Sequence, residues 1–374
     1  MEMVEEDRTP PKRIRFQEIM EEGKEDRITA LPDCLLIEIL SRLPSTKDAI
    51  RTGTLSKRCK HLWTLVPTLI LNDYSDNNMW PDIVDKTLTQ CRQLKLEKFE
   101  VISTYDSRFE SQINNSIRYA VNRNVEQLNL SLYTTSELEF PLDQYFYINS
   151  CFTHLTLEGC ILNPTGAIIW KNLKKLWICS LKVNEDLIEN ILSGSPLLET
   201  LMIDRCYGYR LLDITSKSVK NLVFIGYNDP EDKDDDLADT IFISAPNISS
   251  LTICGQLLLL KIVLLNVSSV VEANLDYKKM GHWEIDRREE EDEMLKGFIL
   301  HLSHIKELKF GHYCSKVLFR LDAKGFVFPS NAKFPDGFQK QLEEGDWSDG
   351  DSFDSGDYDL HGNLDFDSVE SEDL

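Results

Sequence analysis

Few residues in this sequence stand at spacings that could support chemistry. His301 and His304 are three apart, with His312 and Cys314 close behind. Imidazole and thiolate are zinc donors, and an i,i+3 histidine pair can share one helix face. Yet His304-Ile305-Lys306-Glu307-Leu308-Lys309-Phe310 leads into a short apolar-x-apolar strand signal that would part the two halves. Surface histidines beside a core thiol are therefore expected, without metal. Asp346, Asp349, Asp351, Asp354, Asp357 and Asp359 are possible calcium donors, but the EF-hand order with its glycine and distal glutamate is missing. A solvated polyanion is the expectation there, and Ser348, with Asp351 three residues on, suits an acidophilic kinase. No Gly-x4-Gly-Lys loop, Gly-x-Gly-x-x-Gly turn or Gly-x-Ser-x-Gly elbow occurs. The expectation is a protein that is not an enzyme and needs no cofactor.

Binding chemistry is better represented. Leu31, Leu35, Leu36, Ile39, Leu40 and Leu43 fall at helical offsets and form one apolar stripe. Pro32 suits a first helical turn, where its missing N–H costs nothing, and Pro44 stops the helix. Ser45 or Thr46 can cap a second short helix; Ser56 can cap a third carrying Leu62, Trp63 and Val66. Three short helices in so few residues enclose little interior, so part of the stripe should meet another protein. From 26 to 66 there are seven Lys/Arg against four Asp/Glu, opposite in sign to the chain as a whole. A basic, apolar helical module suggests docking on an acidic partner.

Leu31-Pro32-Asp33-Cys34-Leu35-Leu36-Ile37-Glu38-Ile39-Leu40-Ser41-Arg42-Leu43-Pro44 resembles the first half of an F-box. Lys47 to Arg58, followed by Leu62-Trp63, resembles the second half. The form is that of plant F-box proteins with leucine-rich repeats. Cys59 stands where that family usually has Trp, and the turn Pro44-Ser45-Thr46-Lys47 is one residue longer than common. The resemblance implies the substrate-recognition subunit of an SCF-type (Skp–cullin–F-box) ubiquitin ligase. On that reading the module docks on an acidic Skp-type adaptor, and through it on cullin and RING subunits, while the repeats hold an unknown protein substrate. Leu31, Pro32, Leu35, Leu36, Ile39, Leu40 and Leu43 would make the apolar contact. Pro44, Leu55, Leu62 and Trp63 would pack or complete it, with Lys57 and Arg58 as a polar rim. The alternative is a leucine-rich-repeat scaffold with a decayed F-box and no ligase role. A small-molecule receptor, suggested by some plant relatives, fits less well: the array is short for it, and no cluster of inward Arg and Lys is evident.

Beyond residue 68 the signal is a repeat. An apolar-x-apolar pair recurs at Leu69/Leu71, Phe99/Val101, Leu128/Leu130, Leu155/Leu157, Leu176/Ile178, Leu201/Ile203, Leu222/Phe224, Leu251/Ile253 and Leu308/Phe310, with Ala273/Leu275 as a weaker instance. Spacings from Leu128 to Leu251 are 27, 21, 25, 21 and 29 residues, the range of leucine-rich repeats. Cys160 and Cys206, five residues after the first Leu, take the Cys/Asn place at the turn leaving the strand. Leu187, Ile188, Ile191 and Leu192 form a helical face that Ser193-Gly194-Ser195-Pro196 ends. Strand, turn, helix, turn is the unit of a curved solenoid with a parallel sheet. Trp170, Trp177 and Tyr209 are expected in its core or at its rim.

The elements that position these residues are then a flexible leader (1–25), the F-box (26–68), the solenoid (69–320), a C-terminal cap with Phe326, Val327, Phe328 and Phe334 (321–342), and a disordered acidic tail (343–374). Two acidic stretches, Asp229–Asp236 and Glu284–Glu293, are expected as surface loops. Of the formal charge of −22 over 374 residues, thirteen acidic side chains lie in 343–374, which has no Lys or Arg. The remaining body offers no broad cationic face for nucleic acid. The longest apolar run, Leu257 to Leu265, contains Lys261 and falls short of the roughly 20 residues of a membrane span. The acidic start lacks the order of a signal peptide. Nine dispersed cysteines with no Cys-x-x-Cys pair suggest free thiols in a reducing compartment, nucleus or cytoplasm. Lys12-Arg13-Ile14-Arg15 is either a nuclear-import signal or a solvated basic run.

Overall fold

The computed structural model describes residues 28, 30–73, 80–133, 139–227, 240–258, 261–280, 288–335 and 337–338. The leader with Lys12–Arg15, Asp229–Asp236, and the acidic tail with Ser348 lie outside the described residues. Two compact units are present, Met1–Lys333 and Phe334–Leu374. In the second, the rings of Phe334 and Phe338 stack at 4.9 Å between centroids.

The first unit opens with helices α1 (Asp33–Ser41) and α2 (Thr46–Arg51), followed by 3-10 turns at Thr52–Thr54 and Cys59–Leu65. Pro32, with φ of −59°, stands immediately before α1 and sets the chain up for its first turn. Ser45, extended at φ −152°, starts α2: its Oγ accepts from the Asp48 amide at 3.1 Å and donates to the Asp48 carboxylate at 2.7 Å. Ser56 Oγ likewise accepts from the Cys59 amide at 3.1 Å, starting the third piece as a 3-10 helix.

Ten strands follow whose register is constant. They are β1 (Thr68–Asp73), β2 (Lys98–Thr104), β3 (Gln127–Tyr133), β4 (His154–Glu158), β5 (Lys175–Cys179), β6 (Thr200–Asp204), β7 (Asn221–Ile225), β8 (Ser250–Leu258), β9 (Glu272–Met280) and β10 (Glu307–Phe310). With β11 (Ala332–Lys333) they make one sheet in chain order, every pair parallel. The first apolar residue of each pair lies beside the next: Leu69, Phe99, Leu128, Leu155, Leu176, Leu201, Leu222, Leu251, Ala273 and Leu308 are successive register partners. All ten are buried. Alternation sends these side chains and their i+2 partners into the solenoid, and the residues between them to the outer face of the sheet.

At the strand exits four successive repeats turn through left-handed backbone, at Gly159, Ser180, Arg205 and Gly226, and Gly255 takes the same conformation at the equivalent place inside the longer β8. Gly159 is required sterically as well: a Cβ there would lie 1.8 Å from the Leu132 carbonyl oxygen. Cys160 and Cys206 follow such turns and are buried, Cys160 Sγ donating to the Glu158 carbonyl at 3.4 Å. Trp170 and Tyr209 are core residues, whereas Trp177 is half-buried on the outward face.

Helices α3 (Trp80–Gln90), α4 (Glu110–Asn122) and α5 (Glu185–Gly194) cover the other side of the early repeats. In α5, Asn184 caps the Leu187 amide at 2.9 Å, and Leu187, Ile188, Ile191 and Leu192 are its buried face. A second parallel sheet of Leu211–Asp213, Thr240–Ser244 and Lys261–Leu265 replaces helices in the later repeats. The Leu257–Leu265 run is thus divided between two strands, and among the described residues no helix is long and apolar enough to cross a membrane.

One expectation is corrected. Glu284–Glu293 is not a loop throughout: helix α6 spans Arg288–His301 and includes Glu289 to Glu293. Its acidic first turn suits the positive end of a helix. Asp292 is buried, held by Arg320 Nε at 2.8 Å and Lys324 Nζ at 2.7 Å from helix α7 (Ser315–Ala323) and the residue beyond it. Glu291 meets Arg320 Nη2 at 2.7 Å. Cations from the next helix make burial of this acid tolerable.

Past α7, the rings of Phe326 and Phe328 meet edge to face at 5.2 Å, while Val327 is exposed. Ala332–Lys333 adds the terminal strand, with Lys333 Nζ paired to Glu307.

Candidate functional site

The apolar stripe of the N-terminal module divides into two faces. Leu36, Leu40, Ala49, Leu62, Trp63 and Val66 close into a small core, against which Leu31, Ile37 and Leu43 pack partly buried. Leu35 and Ile39, four residues apart on α1, point the other way and are 48% and 49% exposed. Leu55 is 68% exposed in the turn after α2. Pro32, Pro44, Lys57 and Arg58 are exposed as well. Arg58 Nε donates to Asp33 Oδ1 at 2.6 Å, fastening the 55–58 turn to the start of α1. Of the thirteen residues expected at a docking surface, Leu36, Leu40, Leu62 and Trp63 therefore form the module's own interior. Ile50 and Leu65, which the stripe did not include, are exposed beside them in sequence. Their signal was available: both stand on short capped elements too small to cover every apolar residue they carry. Cys59 is buried, filling an interior place.

The module is not free of the repeats. Thr46 is buried, and its Oγ1 accepts from the Ile70 amide of β1 at 2.8 Å. The Arg92 amide donates to the Thr64 carbonyl at 2.8 Å from the following repeat.

Candidates for chemistry do not converge. His301, His304 and His312 are exposed, whereas Cys314 is buried with Sγ donating to the Leu275 carbonyl at 3.3 Å. Among the described residues no group of three His, Cys, Asp or Glu could hold a metal ion. All nine cysteines are free. Burial pushes the Cys206, Cys254 and Cys314 thiols up to about 12, so they are neutral packing groups at physiological pH.

The outward face of the sheet is the other surface of interest. Between the buried pairs it carries Thr156, Trp177, Met202 and Val223 in one row across β4 to β7, Met202 buried and the other three half-buried. The next row on the same side of the strands holds Glu158, Cys179, Asp204 and Ile225, all four buried. Position in the repeat was the signal that could have found them.

Comparison with known proteins agrees with this arrangement. The family profile described as "At1g61320/AtMIF1, LRR domain" matches residues 86–286, more than half of the chain. The putative F-box protein At1g49610 of Arabidopsis thaliana is 34% identical over 81% of this chain and 74% of its own length. The F-box protein At5g03100 of the same plant is 33% identical over 82% of this chain and 95% of its own length. The putative F-box/LRR-repeat protein At3g18150, also of Arabidopsis thaliana, is 36% identical over 52% of this chain but only 41% of its own length. With a small helical module ahead of ten register-locked repeats, and relatives matched over about four-fifths of its length, the chain belongs to the plant F-box/LRR-repeat family of non-catalytic adaptor proteins.

Proposed function

We propose that this chain is the substrate-recognition subunit of an SCF-type ubiquitin ligase, docking through its F-box on a Skp-type adaptor and holding a target protein on its repeats. The general adaptor role is supported by family membership. The docking reading rests on one observation: Leu35, Ile39 and Leu55 stay exposed beside a module core that is already closed. Covering such side chains would supply roughly 1.5–3 kcal/mol each before ordering costs. Arg42, Lys47, Arg51, Lys57, Arg58 and Lys60 are exposed on the same module, and although Arg42, Arg51 and Arg58 pair with Glu38, Asp48 and Asp33, its balance stays basic, which favours an acidic partner. The chain contributes no reacting group. It holds an acceptor lysine near the ubiquitin thioester of another subunit, and raised effective concentration is the source of rate. The reading requires the nucleus or cytoplasm as its compartment.

The test follows from the division of the stripe. Leu35→Asp with Ile39→Asp should abolish capture of a purified Skp-type adaptor, with the melting temperature unchanged within a few degrees. Adaptor binding undiminished in that double variant would overturn the assignment. A Leu36 substitution is a poor probe, because Leu36 is 5% exposed and its loss would damage the module itself.

A further inference from the structure

We propose that the centre of the outward sheet face receives an arginine or lysine side chain from an extended segment of the target protein. This deepens the reading of the repeats as the target-holding surface and rests on it.

Three observations carry the proposal. The first is an apolar island at the centre of the face: Trp177, Met202 and Val223 are lateral neighbours on β5, β6 and β7, set apart by polar strands from Ile70, the other apolar residue of the row, on β1. The equivalent positions before them are Glu100, Asn129 and Thr156, and those after them are Thr252, Asn274 and Lys309. An aliphatic stem and a cation both find a surface on a half-buried indole flanked by Met and Val.

The second is the charge along the adjoining row. From β4 to β9 it holds the carboxylates of Glu158, Asp204 and Asp276 and no base. Asp204 is answered by Arg205 Nε at 3.0 Å. Other cations of the face are also engaged: Lys98 pairs with Glu100 at 3.0 Å and Lys309 with Glu307 at 3.6 Å. Lys175 stands two residues before Trp177, at the opposite margin of the face.

The third is Glu158 itself. It is 92% buried by its 8% exposure, yet among the described residues it has no ion-pair partner. Its side-chain partner is the thiol of Cys179, at 3.5 Å. A thiol is a weak donor to a carboxylate deprived of water. Cys179 is also within 3.4 Å of Asp204 Oδ2, and burial, with Asp204 and Glu158 next, drives its pKa far upward. The thiol stays protonated and also accepts from Arg205 Nη2 at 3.2 Å, but that guanidinium is paired with Asp204, so among the described residues Glu158 keeps no cation of its own. An incoming guanidinium or ammonium on the Trp177–Met202 island would lie about two residues along the strands, ~6.6 Å, from the Glu158 row, within reach of a long basic side chain, and supply a countercharge to Glu158.

The experiment pans a phage-displayed library of random dodecapeptides on the full chain, then measures binding of the enriched peptides by fluorescence polarisation. Arg or Lys should be enriched at one fixed position, and Glu at that position of the synthetic peptide should abolish binding. Glu158→Gln, which keeps the side chain's shape, should weaken the peptides at least tenfold with an unchanged melting curve. Glu158→Lys should restore binding of the Glu-bearing peptide. Enriched peptides without a basic residue, no enrichment at all, or equal affinity for Glu158→Gln would each overturn the proposal. Adaptor capture by the same preparations reports separately on the F-box reading, because Glu158 lies on the sheet and not on the module.

Discussion

Single side chains decide which thiols of this protein can react. Cys34 is exposed on the first helix of the module, and Cys151 and Cys254 are half-buried, Cys254 with its thiol pushed up to about 12 by burial, while Cys59, Cys91, Cys160, Cys179, Cys206 and Cys314 are buried. Cys206 and Cys314 gain further protection because their thiols titrate only near 12. A disulfide exchange reagent applied to the native protein at pH 8 should therefore modify Cys34 first and Cys151 more slowly. The buried six should react only after denaturation, by hundreds of-fold or more in rate if opening is global. Peptide mapping after brief labelling checks this; early modification of Cys206 would contradict the packing described. The sequence shows Cys160 and Cys206 as buried turn residues, since their place in the repeat is periodic. It does not separate Leu35 and Ile39 from Leu36 and Leu40. Adjacent residues on one amphipathic helix differ by about 100° in direction, and only the position of the third helical piece decides which pair is covered.

At the scale of elements, the sheet is almost wholly legible because its signal is local and repeated. Ala273, the weakest member of the ladder, still falls in register between Leu251 and Leu308. The second sheet is less visible, for its strands stand in repeats whose return segments vary in length. Helix α6 was hidden for a different reason. A run of acids looks like a solvated loop until Arg320 and Lys324, about thirty residues downstream, are known to face it. The outward row with Trp177 and Met202 was missed because aromatic and thioether side chains are assigned to interiors by default. The α6–α7 pairing gives a prediction at this scale. Asp292→Ala would leave two cations facing an uncharged pocket and should cost about 2–3 kcal/mol, below the full penalty because Lys324 remains partly solvated. Asp292→Ala combined with Arg320→Leu should recover part of that loss in a denaturant melt. A double variant less stable than the sum of the single ones would argue against a charge-based strut.

For the whole molecule, the decisive feature is the joint between module and array. Thr46 Oγ1 occupies a backbone donor of the first strand, so the F-box protects an edge that would otherwise invite pairing with another chain. Thr46→Val keeps the shape and removes the acceptor, and should lower stability by about 1–2 kcal/mol. Hydrogen exchange at the Ile70 amide should accelerate, and protection there equal to the parent's would refute the role given to this bond. Removing residues 1–68 outright would bare the same edge, so point substitutions are the sounder comparison for partner capture. The joint also acts as a ruler under the proposed role. Each repeat sets its outward residues one strand further, by about 4.8 Å, from the place where the ligase machinery attaches. A target gripped at the fifth and sixth strands is thereby offered at a preset reach. Which of its lysines receives ubiquitin becomes a matter of where on the ladder it is seized, and adding or deleting one rung should transfer the mark to a different lysine.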